Sequence, residues 1–312
     1  LLNEDKDFLA TDLGADWHRI LKENDGDIGS IIAEWLVRLQ NPNYEQELSE
    51  EFRLGIWKDV AAAAERHNNP GVFTAFVGYE WTAMVQGNNL HRVVLYRDDA
   101  ETATKIVPFS ALDSQNPEML WDALEKYEEE TSGQVMSIPH NGNVSNGFMF
   151  AEETLAGKPF DKSYAEARAR WEPVYEVTQV KGDGEAHPFL SPDDEFADFE
   201  TWDDDNIGRT VPKQNSMLKH EYARSALKLG LELQDKIGVN PYEFALIGST
   251  DSHTTLSTAD DDNFWGKFKD SEPSDERLTN KMGGTLWYNW KLAASGYAAI
   301  WARENTREAL FD

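Results

Sequence analysis

Four short stretches of this chain carry side chains able to hold a divalent ion, and each sits at the end of an apolar run. Gly248-Ser249-Thr250-Asp251-Ser252-His253 follows the run 244–247, Glu80 closes 72–79, His140 closes 134–138 through Pro139, and His91 opens 91–97 after the polar turn Gly87-Asn88-Asn89. On an extended segment residues i and i+2 share a face, so Asp251 and His253 emerge together. A carboxylate beside an imidazole suits zinc, manganese or iron, and sets without thiolate leave a catalytic ion with an open position. Glu176 lies inside the otherwise apolar run 174–180. A carboxylate buried there without a partner is expensive, so it requires a cation, either lysine or metal.

Acids stand two positions before four of the seven histidines: Asp16/His18, Glu65/His67, Glu185/His187 and Asp251/His253. On a helix such a pair points to different sides, which makes Glu65/His67 structural. Asp16 reads as the cap of the helix that follows it. Two cations stand beside the candidate ligands, Arg92 after His91 and Lys181 after the Glu176 run, with Glu185 and His187 just beyond. Each cation either meets an anionic substrate or transition state, or pairs with the surplus acids. His187 or Glu185 is the candidate for a catalytic acid.

The elements that position these groups alternate. Helical spacing marks 28–40, 44–69, 117–130, 164–170, 217–237 and 304–311. Short apolar runs mark strands at 72–79, 91–97, 134–138, 174–180 and 244–247. This order predicts an α/β fold, a parallel sheet covered by helices as a barrel or a doubly wound sheet. A barrel gathers chemistry at the C-terminal ends of its strands. The reading is of one domain over 1–312, with 182–215 as an acidic insertion or lid loop centred on 191–205.

Composition limits the partners. With 29 Lys+Arg against 57 Asp+Glu the formal charge is −28, which repels phosphate backbones and anionic lipid, so neither nucleic acid nor a membrane surface is expected as a partner. The absence of cysteine removes disulfides and every thiolate-bound metal site. No apolar run reaches the roughly 18 residues of a membrane span, so a soluble chain is expected.

The motifs Gly78-Tyr79-Glu80-Trp81-Thr82, Asn88-Asn89-Leu90-His91-Arg92, Ile138-Pro139-His140-Asn141-Gly142 and Gly248 to His253 resemble those of the PHP superfamily, named for polymerase and histidinol phosphatase domains. Lys181 to Pro188 and Ser191 to Phe196 look like a bacterial branch of PHP-like metal-dependent hydrolases. The likeness runs from about residue 69 to 266. It implies a distorted seven-stranded β/α (TIM-like) barrel with one to three divalent ions, and hydrolysis of phosphoesters. Glu80 matches an acidic ligand able to bridge two ions, His91 and His140 later histidine ligands, and Asp251 with His253 the closing pair. Residues 1–72 hold neither the opening His-x-His nor the Asp-His pair that follows it in that superfamily, so the resemblance implies a barrel lacking its first strands, in a chain cut at both ends, and a reduced ion count. The function it suggests is a metal-dependent phosphoesterase using metal-activated water on a small anionic, phosphate-containing substrate. The alternatives are C–N or C–O hydrolysis by the same ligands, or metal or ligand binding without turnover. It also suggests a periplasmic or secreted protein, with the cytoplasm as the alternative.

Overall fold

The computed structural model describes residues 6–24, 49–253, 267, 274–281, 288–292 and 297–312. The helix expected over 28–40 lies outside them. Eight strands are present among these residues: β1 Val77–Trp81, β2 Met84–Val85, β3 Asn88–Asn89, β4 Arg92–Tyr96, β5 Val135–Pro139, β6 Val174–Gln179, β7 Gly182–Asp183 and β8 Ala245–Gly248. The helices are α1 Lys6–Leu9, α2 Asp12–Glu23, α3 Glu50–His67, α4 Ala100–Ala103, α5 Pro117–Thr131, α6 Lys162–Trp171, α7 Asn215–Leu218, α8 Ala223–Ile237 and α9 Arg307–Phe311.

The strands form sheets of three, two and three, and no closed barrel exists among the described residues. The expectation of a seven-stranded β/α barrel, and of a parallel sheet, is therefore corrected. In the first sheet β1, β4 and β5 are antiparallel throughout. For β1 and β4 the reason is visible in the chain: residues 82–91 make only the small β2–β3 hairpin, whereas a parallel return needs a crossover of about a dozen residues or more. In the other three-stranded sheet β6 pairs parallel with β8 and antiparallel with β7. A single parallel bridge, His140 to Glu176, links the ends of the two sheets.

Helices cover the first sheet with an aromatic core of Trp57, Trp81, Tyr96, Trp121, Tyr127 and Trp171. α5 shows why its sequence folds as it does. Asn116 caps it by accepting from the Glu118 amide, Pro117 takes the first turn, and Leu120, Trp121, Leu124 and Tyr127 bury one face. On β6, α8 buries Ala226, Leu229 and Leu233 beside Tyr175 and Tyr242. α2 is capped by Thr11, and Asp16 instead pairs within the helix with Arg19. Glu65 accepts from the Ala100 amide and pairs with Arg307, in keeping with a structural role. β1 begins later than residue 72, because Val72 and Phe73 are exposed in the turn that precedes it.

The single helix expected over 217–237 is two, α7 and α8, parted at Glu221 and Tyr222. Glu221 is fully buried and accepts from Lys213 Nζ at 2.6 Å, which a continuous exposed helix face would not allow. Burial pushes its carboxyl up to about 7, although Lys213 opposes the shift. The folded state therefore holds a proton that the unfolded chain releases near pH 4.3, so stability falls as pH rises toward 7. Asp183, raised by burial to about 6, acts in the same direction. Urea unfolding at pH 5 and pH 8 should show Glu221 contributing a loss on the order of 2–3 kcal/mol over that interval. Glu221→Gln should remove that part of the slope, and an unchanged slope would refute the assignment.

The 182–215 segment is anchored to the body of the molecule. Gly182–Asp183 pairs with β6, Trp202 is buried, Ile207 donates to Val144 O at 3.0 Å, and Gly208 donates to Gly87 O at 3.0 Å. No helix among the described residues is long and apolar enough to cross a membrane.

Candidate metal centre

The bridge between the two sheets is where the candidate ligands meet. Glu80 comes from β1, His91 from the residue before β4 and His140 from the residue after β5. Pairing of β1 with β4 and of β4 with β5 brings these three ends together. Glu80 Oε1 lies 2.9 Å from His91 Nδ1 and 3.0 Å from His140 Nε2. The ligand atoms of all three lie within 4.8 Å of one another. Both imidazoles are buried, while the Glu80 side chain keeps 31% of its surface open and gives the centre its access.

The backbone at the rim is held in unusual conformations. Asn141, directly after His140, has φ 53°, and Asp251 has φ 53°. Asn and Asp tolerate this left-handed region better than other residues with a side chain. Asn89 Nδ2 donates to the His140 carbonyl at 2.7 Å and so fixes the loop carrying the imidazole. Gly142 must be small, since a Cβ there would fall 2.4 Å from Glu221 O.

Charges gather around the three ligands. Desolvation alone would raise Glu80, but the two imidazoles outweigh it and hold its carboxyl well below the usual range. Burial would lower His140; the Glu80 hydrogen bond, with the charges of Glu176 and Asp251, raises it instead. Burial lowers His91 despite Glu80. Glu176 sits at the bridge to His140 and at a β6 irregularity, its carboxyl raised by burial and its Oε1 without a hydrogen-bond partner. Asp251 is held low by Lys181 and Lys267, both buried and both in ion pairs with its Oδ2, against a desolvation that would raise it.

Six predicted residues thus belong to one electrostatic cluster: Glu80, His91, His140, Glu176, Lys181 and Asp251. His253 lies at its edge, 40% of its side chain exposed, Nδ1 2.9 Å from the Asp251 carbonyl. Three candidates lie elsewhere. Arg92 is fully buried, its Nε donating to Glu172 Oε1 at 3.0 Å and its Nη1 to Leu90 O at 2.6 Å. Glu185 is bound to Arg224 at 2.8 Å near the surface. His187 accepts the Phe189 amide at Nδ1, so Nε2 carries the hydrogen that bonds Asp203 Oδ2 at 2.9 Å. Both its nitrogens are engaged. Sequence reasoning missed Lys267, which joins Asp251 from sixteen positions along the chain, a spacing that carries no periodic signal.

The donor set fits a divalent ion. Two imidazole nitrogens and a carboxylate oxygen converge, and Glu176, bridged to His140 through the backbone, has a buried Oε1 without a hydrogen-bond partner. Nitrogen and oxygen donors of this kind suit zinc, manganese or iron.

The fold and this centre define an α/β protein with small, mainly antiparallel sheets and a carboxylate–imidazole cluster where two of them meet. The chain belongs to the family described as "Protein of unknown function (DUF3604)", whose model matches residues 1–312. No curated protein and no solved structure matches it. The PHP resemblance read from the motifs is corrected by this result, as its seven-stranded barrel is by the sheets. Short Gly, His and Asp motifs at strand ends are available to many folds and do not define a superfamily.

Proposed function

We propose that the chain is a metal-dependent hydrolase acting on a small anionic substrate, most concretely a phosphoesterase. The observation that supports this reading is the convergence of Glu80, His91 and His140 on one point with an open side. Those three residues would hold the ion, and Glu176 or Asp251 would complete its donors. A bound divalent ion lowers the pKa of water from about 15.7 toward 7 and steadies charge on a phosphoryl or carbonyl oxygen.

The chain's own residues supply the rest. Lys181 and Lys267 both reach one carboxylate oxygen of Asp251, and burial together with the Lys181 charge brings Lys267 down to about 7. Lysines placed beside the ligands would suit contact with a phosphoryl oxygen of the substrate, which is the reason for preferring a phosphoester to a neutral amide or lactone. The Asn89 hydrogen bond to the His140 backbone keeps the imidazole aimed at Glu80.

Purified protein supplied with manganese or zinc should release product from phosphomonoester or phosphodiester panels, and a chelator should stop it. Turnover confined to lactones or amides would transfer the proposal to C–O or C–N hydrolysis. Stoichiometric metal with no turnover on any panel would leave a binding protein.

A further inference from the structure

A cavity of about 360 Å³ lies on the other side of the chain from the metal centre. Its walls include Leu90, Arg92, Phe148, Phe160, Tyr164 and Arg168. Leu90 and Arg92 both line it, whereas His91 between them turns to Glu80. That alternation along an extended segment separates the cavity from the candidate ligands.

The wall is charged in an unbalanced way. Arg92 and Arg168 are buried and share one carboxylate, Glu172, at 3.0 and 3.2 Å. Trp121 Nε1 also donates to Glu172, at 3.1 Å, so that carboxylate is drawn on from three directions. Among these buried groups two guanidiniums against one carboxylate leave one positive charge over, in a chain whose net charge is −28. The Arg168 guanidinium stacks over Tyr242 at 4.7 Å, which softens the imbalance without neutralising it. Burying a charge without a counter-charge is costly, and an anion in the cavity removes that cost.

The remaining wall selects among anions. Phe148, Phe160, Tyr164 and Leu90 offer apolar and aromatic surface, and the volume lies within the range of small-molecule pockets. Glu153, an exposed residue of the same wall, disfavours ligands of higher negative charge. We propose that this cavity binds a small monocarboxylate with an apolar body, its carboxylate toward Arg92 and Arg168 and its body against the aromatic wall. This site is separate from the hydrolase reading and stands without it.

The test is calorimetric titration of the whole chain with acetate, phenylacetate, benzoate and the neutral isostere benzamide. Saturable one-to-one binding of at least one of the acids is expected, with benzamide weaker than benzoate by about tenfold or more. Leu155→Trp, which enlarges an exposed side chain of the cavity wall, should abolish binding while leaving the circular dichroism spectrum and Tm unchanged. His140→Ala should retain it. Benzamide binding as well as benzoate, full binding to a folded Leu155→Trp, or no saturable binding of any of the three acids would overturn the proposal.

Discussion

His140→Ala is expected to lose its divalent ion and, with it, turnover. The imidazole supplies one of three converging donors, and its Nε2 lies 3.0 Å from the carboxylate oxygen that His91 also approaches. Loss of outer partners of metal ligands already weakens affinity by about 10–100-fold, so loss of a ligand itself should exceed a hundredfold. Glu80→Gln should do the same, since a neutral amide oxygen is a poorer donor to a divalent cation and Glu80 is the member that contacts both imidazoles. Elemental analysis after dialysis, and manganese or zinc titration by calorimetry, give the readout independently of any substrate. Circular dichroism should show the fold intact, because the sheets carrying these residues are held by the aromatic core and not by the ligands. Stoichiometric metal of unchanged affinity in both variants would remove the centre from consideration.

Much of the local structure was legible in the chain. β4, α5, β5, α6 and β6 fall within two residues of the expected bounds at every end, because their caps and periodicity are local: Asn116-Pro117 starts α5, and likewise Gly238, at φ 85°, ends α8. The sheet order was not legible. A short connection favours antiparallel pairing only for β1 with β4; β4 and β5 are joined through two helices and pair antiparallel by tertiary packing, and an alternating order of helices and strands is compatible with several arrangements. The break between α7 and α8 depends on Lys213 meeting Glu221, a contact without helical periodicity. Arg92 illustrates the same limit. Its position after His91 left substrate contact and pairing with an acid both open, and strand alternation turns it to the opposite side, where it pairs with Glu172, a residue that no motif marked. Glu80, His91, His140 and Asp251 were visible because strand ends concentrate polar side chains where backbone pairing stops. Lys267 was not, since its approach to Asp251 is purely tertiary.

Glu172→Gln should produce the largest loss of stability of any single substitution considered. The carboxylate is buried and joins Arg92, Arg168 and Trp121 across β4, α5 and α6. The amide keeps the shape but leaves two buried guanidinium groups with no counter-charge, and breaking a buried pair in this way costs about 3–5 kcal/mol. Urea denaturation should show the midpoint falling with little change in slope. A triple replacement of Arg92, Glu172 and Arg168 by apolar residues of similar volume should recover much of the loss, because it removes the stranded charges as well as the pair. A Glu172→Gln midpoint close to that of the parent chain would mean that the guanidiniums are neutralised some other way. The same variant bears on the cavity: with a second uncompensated positive charge in its wall, benzoate should raise the Tm of Glu172→Gln by more than it raises that of the parent chain.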